Sequence, residues 1–360
     1  MKQRRSVFSL VVLAAFISSV GAYAQSDRKQ SKAEKKEIEG LVKLVDGVMA
    51  GQPAPDDLSA TWLREDHLKA QGNNEYVPFT VSLDPSKVSG GTVALYWRVV
   101  ATAAAPDAAT AAGQKKDEKK KKDDSLYAFE DVSFVPVPAG ENPMRITRAF
   151  SVPAGSYDVY VVVKEPLQER APKNAPPPKM SVFKHVVEVP DFWNGELATS
   201  SVIIVQRIDP LAEPLTPAQQ AERPYALGPI EIVPVYDMNM TKKSQLSTFM
   251  LVYNPKVLEG VNKPDVLVEY NFCQAAAGNE PKAGDLCKAG EKFFNKTSPQ
   301  ALNVTTLPAE FDLAAGHQLQ TGQTVPLASF PEGKYRLEIK VTDKAANKVL
   351  LRDVNFSVAP

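Results

Sequence analysis

Histidine is scarce in this chain of 360 residues. The three copies, His67, His185 and His317, are scattered over separate regions, with no HExxH pair and no CxxC or other close metal-ligand cluster. A phosphate loop of the GxxxxGK[ST] type, a GxGxxG turn and a GxSxG elbow are also absent. Carboxylates are plentiful, but no spacing singles out an acid-base pair. The expectation is therefore no catalytic residues, no metal and no cofactor. Charge of either sign is not in excess, with 42 Lys and Arg against 42 Asp and Glu. A balanced surface argues against nucleic acid as a partner.

Long apolar runs are missing except at the start. There Lys2, Arg4 and Arg5 precede an apolar stretch from Val7 to Val20 and a small-residue exit at Ala22-Tyr23-Ala24. This is the pattern of a signal peptide over residues 1–24, with an uncleaved anchor as the other reading. Cleavage removes three positive charges, leaving 39 basic against 42 acidic residues and a net charge of −3. The expectation is a secreted or periplasmic bacterial protein with no transmembrane segment after signal cleavage.

Cysteine is limited to Cys273 and Cys287. In an exported chain such a pair reads as a disulfide. Val266, Val268, Tyr270 and Phe272 should form the core face of their strand, which puts Cys273 on the other face. The bond would then clamp the two ends of a hairpin loop instead of joining two sheets, worth about 3 kcal/mol in loop-closure entropy.

What is abundant is alternation. One amphipathic helix comes first: Ser31 and Glu34 form a capping box, Ile38, Leu41, Val42, Val45, Val48 and Met49 recur at helical spacing, and Pro53 and Pro55 follow. From Glu75 the period changes to two. Six strand-like segments lie between Glu75 and Val189, and seven between Ala198 and Val358. The expected fold class is all-β, two tandem Ig-like antiparallel β-sandwich domains. The expected division is an N-terminal helical segment at 25–75, a first sandwich at 76–190, a junction at 191–228 that includes a first strand of the second domain, and a second sandwich at 229–360.

Two stretches share one phrasing, SVPAGSYDVYVVVKE at 151–165 and SFPEGKYRLEIKVTD at 329–343. In Ig-type sandwiches a Tyr at the start of the penultimate strand hydrogen-bonds back across the preceding corner, where Gly gives the turn its backbone freedom. Tyr157 and Tyr335 are placed for this role in each domain. The Lys- and Ala-rich insertion at 102–124 buries too little apolar surface to order itself, and RAPKNAPPPK is a second extended insertion. Phe192 and Trp193, beside an Asn-Gly turn, are either a junction wedge or a recognition knob.

The second half, from DFWNGELATSSVIIVQRI through ERPYALGPIEIVPVYD to SFPEGKYRLEIKVTDKAANKVLLRDVNFSV, resembles the sandwich region of secreted acidobacterial proteins of unknown function, including those carrying GWxTD-type regions. The GWxTD signature itself is absent here. The resemblance implies an exported sandwich with no assigned catalytic residues. The function expected is a non-enzymatic binding or scaffolding protein of the envelope or exterior, its partner a protein or a polysaccharide. A carboxylate-dependent hydrolase of extracellular polymer and a structural module of a surface assembly are the alternatives.

Overall fold

A computed structural model describes residues 31–102, 127–138, 140–167, 174, 176–278 and 286–360. The signal peptide expected at 1–24 and all but the first residue of the insertion at 102–124 lie outside the described residues, as does part of the proline-rich insertion. The chain divides into two compact units. One comprises the described residues from Ser31 to Asp191 together with Thr216–Pro224; the other comprises the described residues of Phe192–Leu215 and Tyr225–Pro360.

The first unit opens with helix α1 (Lys32–Met49), started by the Ser31 and Glu34 capping box. Strands β1 (Thr61–Glu65), β2 (Leu68–Lys69), β3 (Glu75–Leu83), β4 (Thr92–Ala101), β5 (Phe129–Pro136), β6 (Met144–Val152), β7 (Gly155–Lys164) and β8 (Met180–Val189) follow. One sheet has β3 at its centre, paired with β1, β2 and β6; the other runs β5-β4-β7-β8, and every pairing is antiparallel. Alternate residues of both sheets meet in a core that includes Phe79, Trp97, Phe150, Tyr157, Val161 and Val187. The short strands β1 and β2 fall in the segment expected to be helical. The alternation of β1 is broken by a bulge between Trp62 and Arg64, and β2 is only two residues long, so neither shows a period of two. The short helix α2 (Pro217–Glu222), capped by Thr216 and Gln219, also belongs to this unit. The Tyr76 hydroxyl donates to the Pro224 carbonyl at 3.1 Å.

The second unit contains β9 (Ala198–Thr199), β10 (Ile203–Pro210), β11 (Ala226–Leu227), β12 (Ile230–Pro234), β13 (Asn239–Thr241), β14 (Gln245–Tyr253), β15 (Val257–Leu258), β16 (Lys263–Pro264), β17 (Val266–Ala275), β18 (Glu291–Lys296), β19 (Gln300–Leu302), β20 (Leu319–Thr321), β21 (Thr324–Pro326), β22 (Gly333–Asp343) and β23 (Lys348–Ala359). One sheet runs β11-β12-β10-β14-β20, with β9 and β21 also on β14; the other runs β13-β23-β22-β17-β18, with β19 on β17. The sheets enclose Ile204, Met250, Tyr270, Phe272, Phe330, Leu337 and Phe356, among others. Within this antiparallel architecture β13 pairs with β23 in parallel.

The two repeated stretches occupy the same place in each unit. The Tyr157 hydroxyl donates to the Pro153 carbonyl at 2.9 Å, and the Tyr335 hydroxyl to the Pro331 carbonyl at 2.7 Å. Gly155 and Gly333, at φ 157° and 145°, open the strand that follows in each case, a conformation that favours glycine. Both tyrosines are buried. The unit order β5-β4-β7-β8 is thus matched by β18-β17-β22-β23.

Candidate binding face

The matched sheets differ on their outer faces. In the first unit, helix α1 lies on that face. Leu41 and Val45 are fully buried and pack with Ala94 and Tyr96 of β4, Val162 of β7 and Val182 of β8. Burying two such side chains contributes about 3–6 kcal/mol. Near one end Glu37 pairs with Lys164, the two side chains 5% and 8% exposed, and accepts from the Leu167 N–H at 3.1 Å. At the other end Asp46 pairs with Arg98 at 2.6 Å. The Arg98 guanidinium also lies 3.8 Å from the centre of the Tyr127 ring. Of the helical stripe read from the sequence, Met49 is 38% exposed, with its sulfur 3.8 Å from Arg98 Nη1.

Counting equal steps from Tyr157 and Tyr335 along the paired strands brings the positions beneath α1 onto the second unit. Ala94 corresponds to Leu267, Tyr96 to Glu269, Val162 to Lys340 and Val182 to Leu351. Among the described residues no helix of the second unit covers them. Leu351 is 51% and its neighbour Val349 55% exposed, and Leu267 is half-buried. Glu269 and Lys340 form an ion pair at 3.4 Å beside them. In the ladder Leu267, Thr342 and Val349 lie in one row and Glu269, Lys340 and Leu351 in the next, so Val349 and Leu351 form an exposed apolar patch on β23 beside a polar central strand.

The other end of the same face is polar and locked. Arg336, buried on β22, donates from Nε to both Glu291 carboxylate oxygens at 3.0 Å and from Nη2 to Oε2 at 2.8 Å. Its Nη1 donates to Glu338 at 3.0 Å and Asp353 at 2.7 Å, and its Nη2 to the Leu286 carbonyl at 3.3 Å. Burial alone would lower the guanidinium pKa, but Glu291, Glu338 and Asp353 outweigh it and raise it. Glu291 is held below the usual carboxylate range first by its hydrogen bonds from Arg336, against some desolvation. Asp353 is lowered despite burial, by Lys288 and Arg336. Such bidentate, charge-assisted contacts fix geometry well.

The disulfide explains how an arginine on an outer sheet face comes to be buried. Cys273 and Cys287 are bonded, with Cα atoms 5.7 Å apart. Cys273 faces away from the core, opposite Arg336 in the ladder, and the bond holds Leu286 and Glu291 over the guanidinium. It is a local clamp, and it also roofs a charge. A hollow of about 340 Å³ lies beside this cluster, lined by Met238, Asn239, Lys334, Arg336, Asn355 and Ser357, among others.

The remaining sequence candidates fall elsewhere. Phe192 is buried in the second unit against Tyr253, ring centres 4.9 Å apart, and its carbonyl accepts from Asn254 Nδ2 at 3.0 Å. Trp193 is 40% exposed. His185 stacks on Trp62 with centroids 4.5 Å apart. Sequence reading did not single out Arg336, Glu291, Glu338 or Asp353. The alternation in YRLEIKVTD, which turns Arg336, Glu338 and Lys340 outward, was the available signal.

No family model matches this chain, and no curated protein matches it. Among solved structures it superposes on Escherichia coli alpha-2-macroglobulin activated by porcine elastase at 13% identity and a TM-score of 0.22, covering 81% of this chain and 22% of that one. Salmonella alpha-2-macroglobulin reacted with methylamine gives 13% identity and a TM-score of 0.20, covering 85% and 17%. The chain thus spans about a fifth of the length of these proteins. The β-sandwich assignment rests on the strand pairings themselves. Among the described residues no helix is long and apolar enough to cross a membrane.

Proposed function

We propose that this is a non-enzymatic binding or scaffolding protein of the cell envelope or exterior, and that it engages a protein partner through the outer face of its second sandwich. The observation that carries the proposal is the correspondence between the two sheets. The position of Val182, buried beneath the helix in the first unit, is held in the second by Leu351, which lies exposed beside Val349. An exposed apolar patch beside charged residues on a regular sheet is ground for docking the apolar surface of a protein partner. The leader-like N-terminus and the disulfide support export. The buried charged groups Arg98, Lys164 and Arg336 each pair with carboxylates that hold the fold, which supports the non-enzymatic reading.

The test places a photocrosslinking side chain at position 351 of the mature chain, residues 25–360, with the disulfide oxidised, in native envelope. A control carries it on the far side of the same unit at Glu231. The expected result is one near-stoichiometric protein adduct from position 351, lost when Val349→Asp is added. Equal labelling from both positions, or retention of polysaccharide with no protein adduct, would sink the proposal.

A further inference from the structure

The sheet β5-β4-β7-β8 ends on β8. Near the start of that strand the outer edge is capped: the Val182 N–H donates to the Pro55 carbonyl and the Asp57 N–H to the Met180 carbonyl, both at 2.8 Å. These two bonds show that even-numbered residues of β8 turn their main-chain groups away from β7. Beyond the cap, at Lys184, Val186 and Glu188, no described strand pairs with this edge. The odd-numbered Phe183, Val187 and Val189 face the core, so the side chains of Lys184, Val186 and Glu188 share the outer face. Val186 is 51% exposed there.

We infer that β8 is a homodimerisation edge, pairing antiparallel with β8 of a second copy about a two-fold axis at Val186. In that register Val186 meets the partner's Val186, Lys184 meets the partner's Glu188, and Glu188 meets the partner's Lys184. All three are hydrogen-bonded pairs, each exchanging both N–H···O bonds. The sequence is therefore its own complement across the axis, as an isologous interface requires. Moving the axis to Lys184 or to Glu188 would set like charges face to face, which is destabilising. A lysine alone blunts a sheet edge; a lysine mirrored by a glutamate selects one partner and one register. Within the chain Lys184 contacts Asp158 at 3.2 Å and Glu188 accepts from the Ser156 hydroxyl at 2.6 Å. An ammonium has three donors and a carboxylate several acceptor sites, so both keep capacity for the cross-axis pair.

The test is sedimentation of the mature chain over a range from low to several hundred micromolar. A reversible monomer–dimer equilibrium is expected. Lys184→Glu sets glutamate against glutamate twice and weakens dimerisation at least about tenfold. Adding Glu188→Lys to it reverses both charges and restores the dimer. Val186→Cys yields a covalent dimer on mild oxidation, because hydrogen-bonded antiparallel pairs have Cα atoms about 5.5 Å apart. A chain that stays monomeric throughout, a dimer indifferent to Lys184→Glu, or a double variant no better than the single one overturns the inference.

Discussion

Replacing Lys164 with methionine should undock helix α1 while leaving the first sandwich folded. The substitution keeps the side chain's length and removes the only cation that Glu37 pairs with among the described residues. Glu37 would keep one hydrogen bond, from the Leu167 N–H. Stranding a carboxylate this buried costs about 3–5 kcal/mol. Undocking α1 returns Glu37 to water and gives up the burial of Leu41 and Val45, about 3–6 kcal/mol. The exposed Asp46 adds little, since it sits 51% in solvent. Penalty and docking energy are of one size, so the helix should spend a large fraction of its time off the sheet. Hydrogen exchange of amides 36–48 reads this directly: protection should fall by two orders of magnitude or more, with β4 and β7 unchanged. The double variant Glu37→Leu with Lys164→Met removes both charges, and protection should return to the natural level or exceed it, because apolar replacement of a buried pair is often neutral or stabilising. Unchanged protection in the single variant, or a double variant as labile as the single one, would refute the reasoning.

Three further predictions concern stability. Asp131, desolvated beside the first core and only partly compensated by the Val132 N–H and Arg148, has its carboxyl pushed up to about 7. The unfolded chain releases this proton near pH 4 and the folded one near 7, so this group makes the protein less stable as pH rises between those values. Asp131→Asn should flatten that part of the denaturation profile and raise stability at pH 8 relative to pH 4; a profile unchanged by the substitution contradicts it. Gly322 has no room for a methyl group, since a Cβ there would meet the Thr248 carbonyl oxygen at 2.2 Å. Gly322→Ala should cost about 1–3 kcal/mol, read by urea denaturation, and a neutral variant would show that the β14–β20 crossing yields easily. Tyr157→Phe and Tyr335→Phe each delete one corner hydrogen bond and should cost about 1 kcal/mol apiece, with additive losses in the double variant; strong non-additivity would contradict independent joints.

The all-β architecture was legible because alternation persists in long strands. GTVALYWRVVA and YRLEIKVTD each place large apolar residues on one face over a full strand length, and β4 and β22 occupy those stretches. Short strands such as Ala226–Leu227 and Thr324–Pro326 are too brief to show any period. They exist because β12 and β14 offer them main-chain partners. The Cys273 face was readable from its parity with Phe272, but the roof over Arg336 was not. That arrangement needs a loop, a disulfide and strand β23 to converge, and Glu291 and Asp353 lie far from Arg336 in sequence. The exposed apolar patch on β23 was hidden for a simpler reason: Val349 and Leu351 look like any other strand residues until the neighbouring helix is found on only one of two matched sheets.

The paired tyrosine corners have an evolutionary consequence. Each joint fixes register from inside, through a hydroxyl and a proline carbonyl, and uses none of the outward-facing positions. Substitutions at exposed outer positions such as Val349 and Leu351 therefore leave this joint untouched. Two domains that share such a corner can differ in what they touch while the corner stays the same. Exchanging the outward residues of one sheet for those of the other should move the helix-seating surface between units.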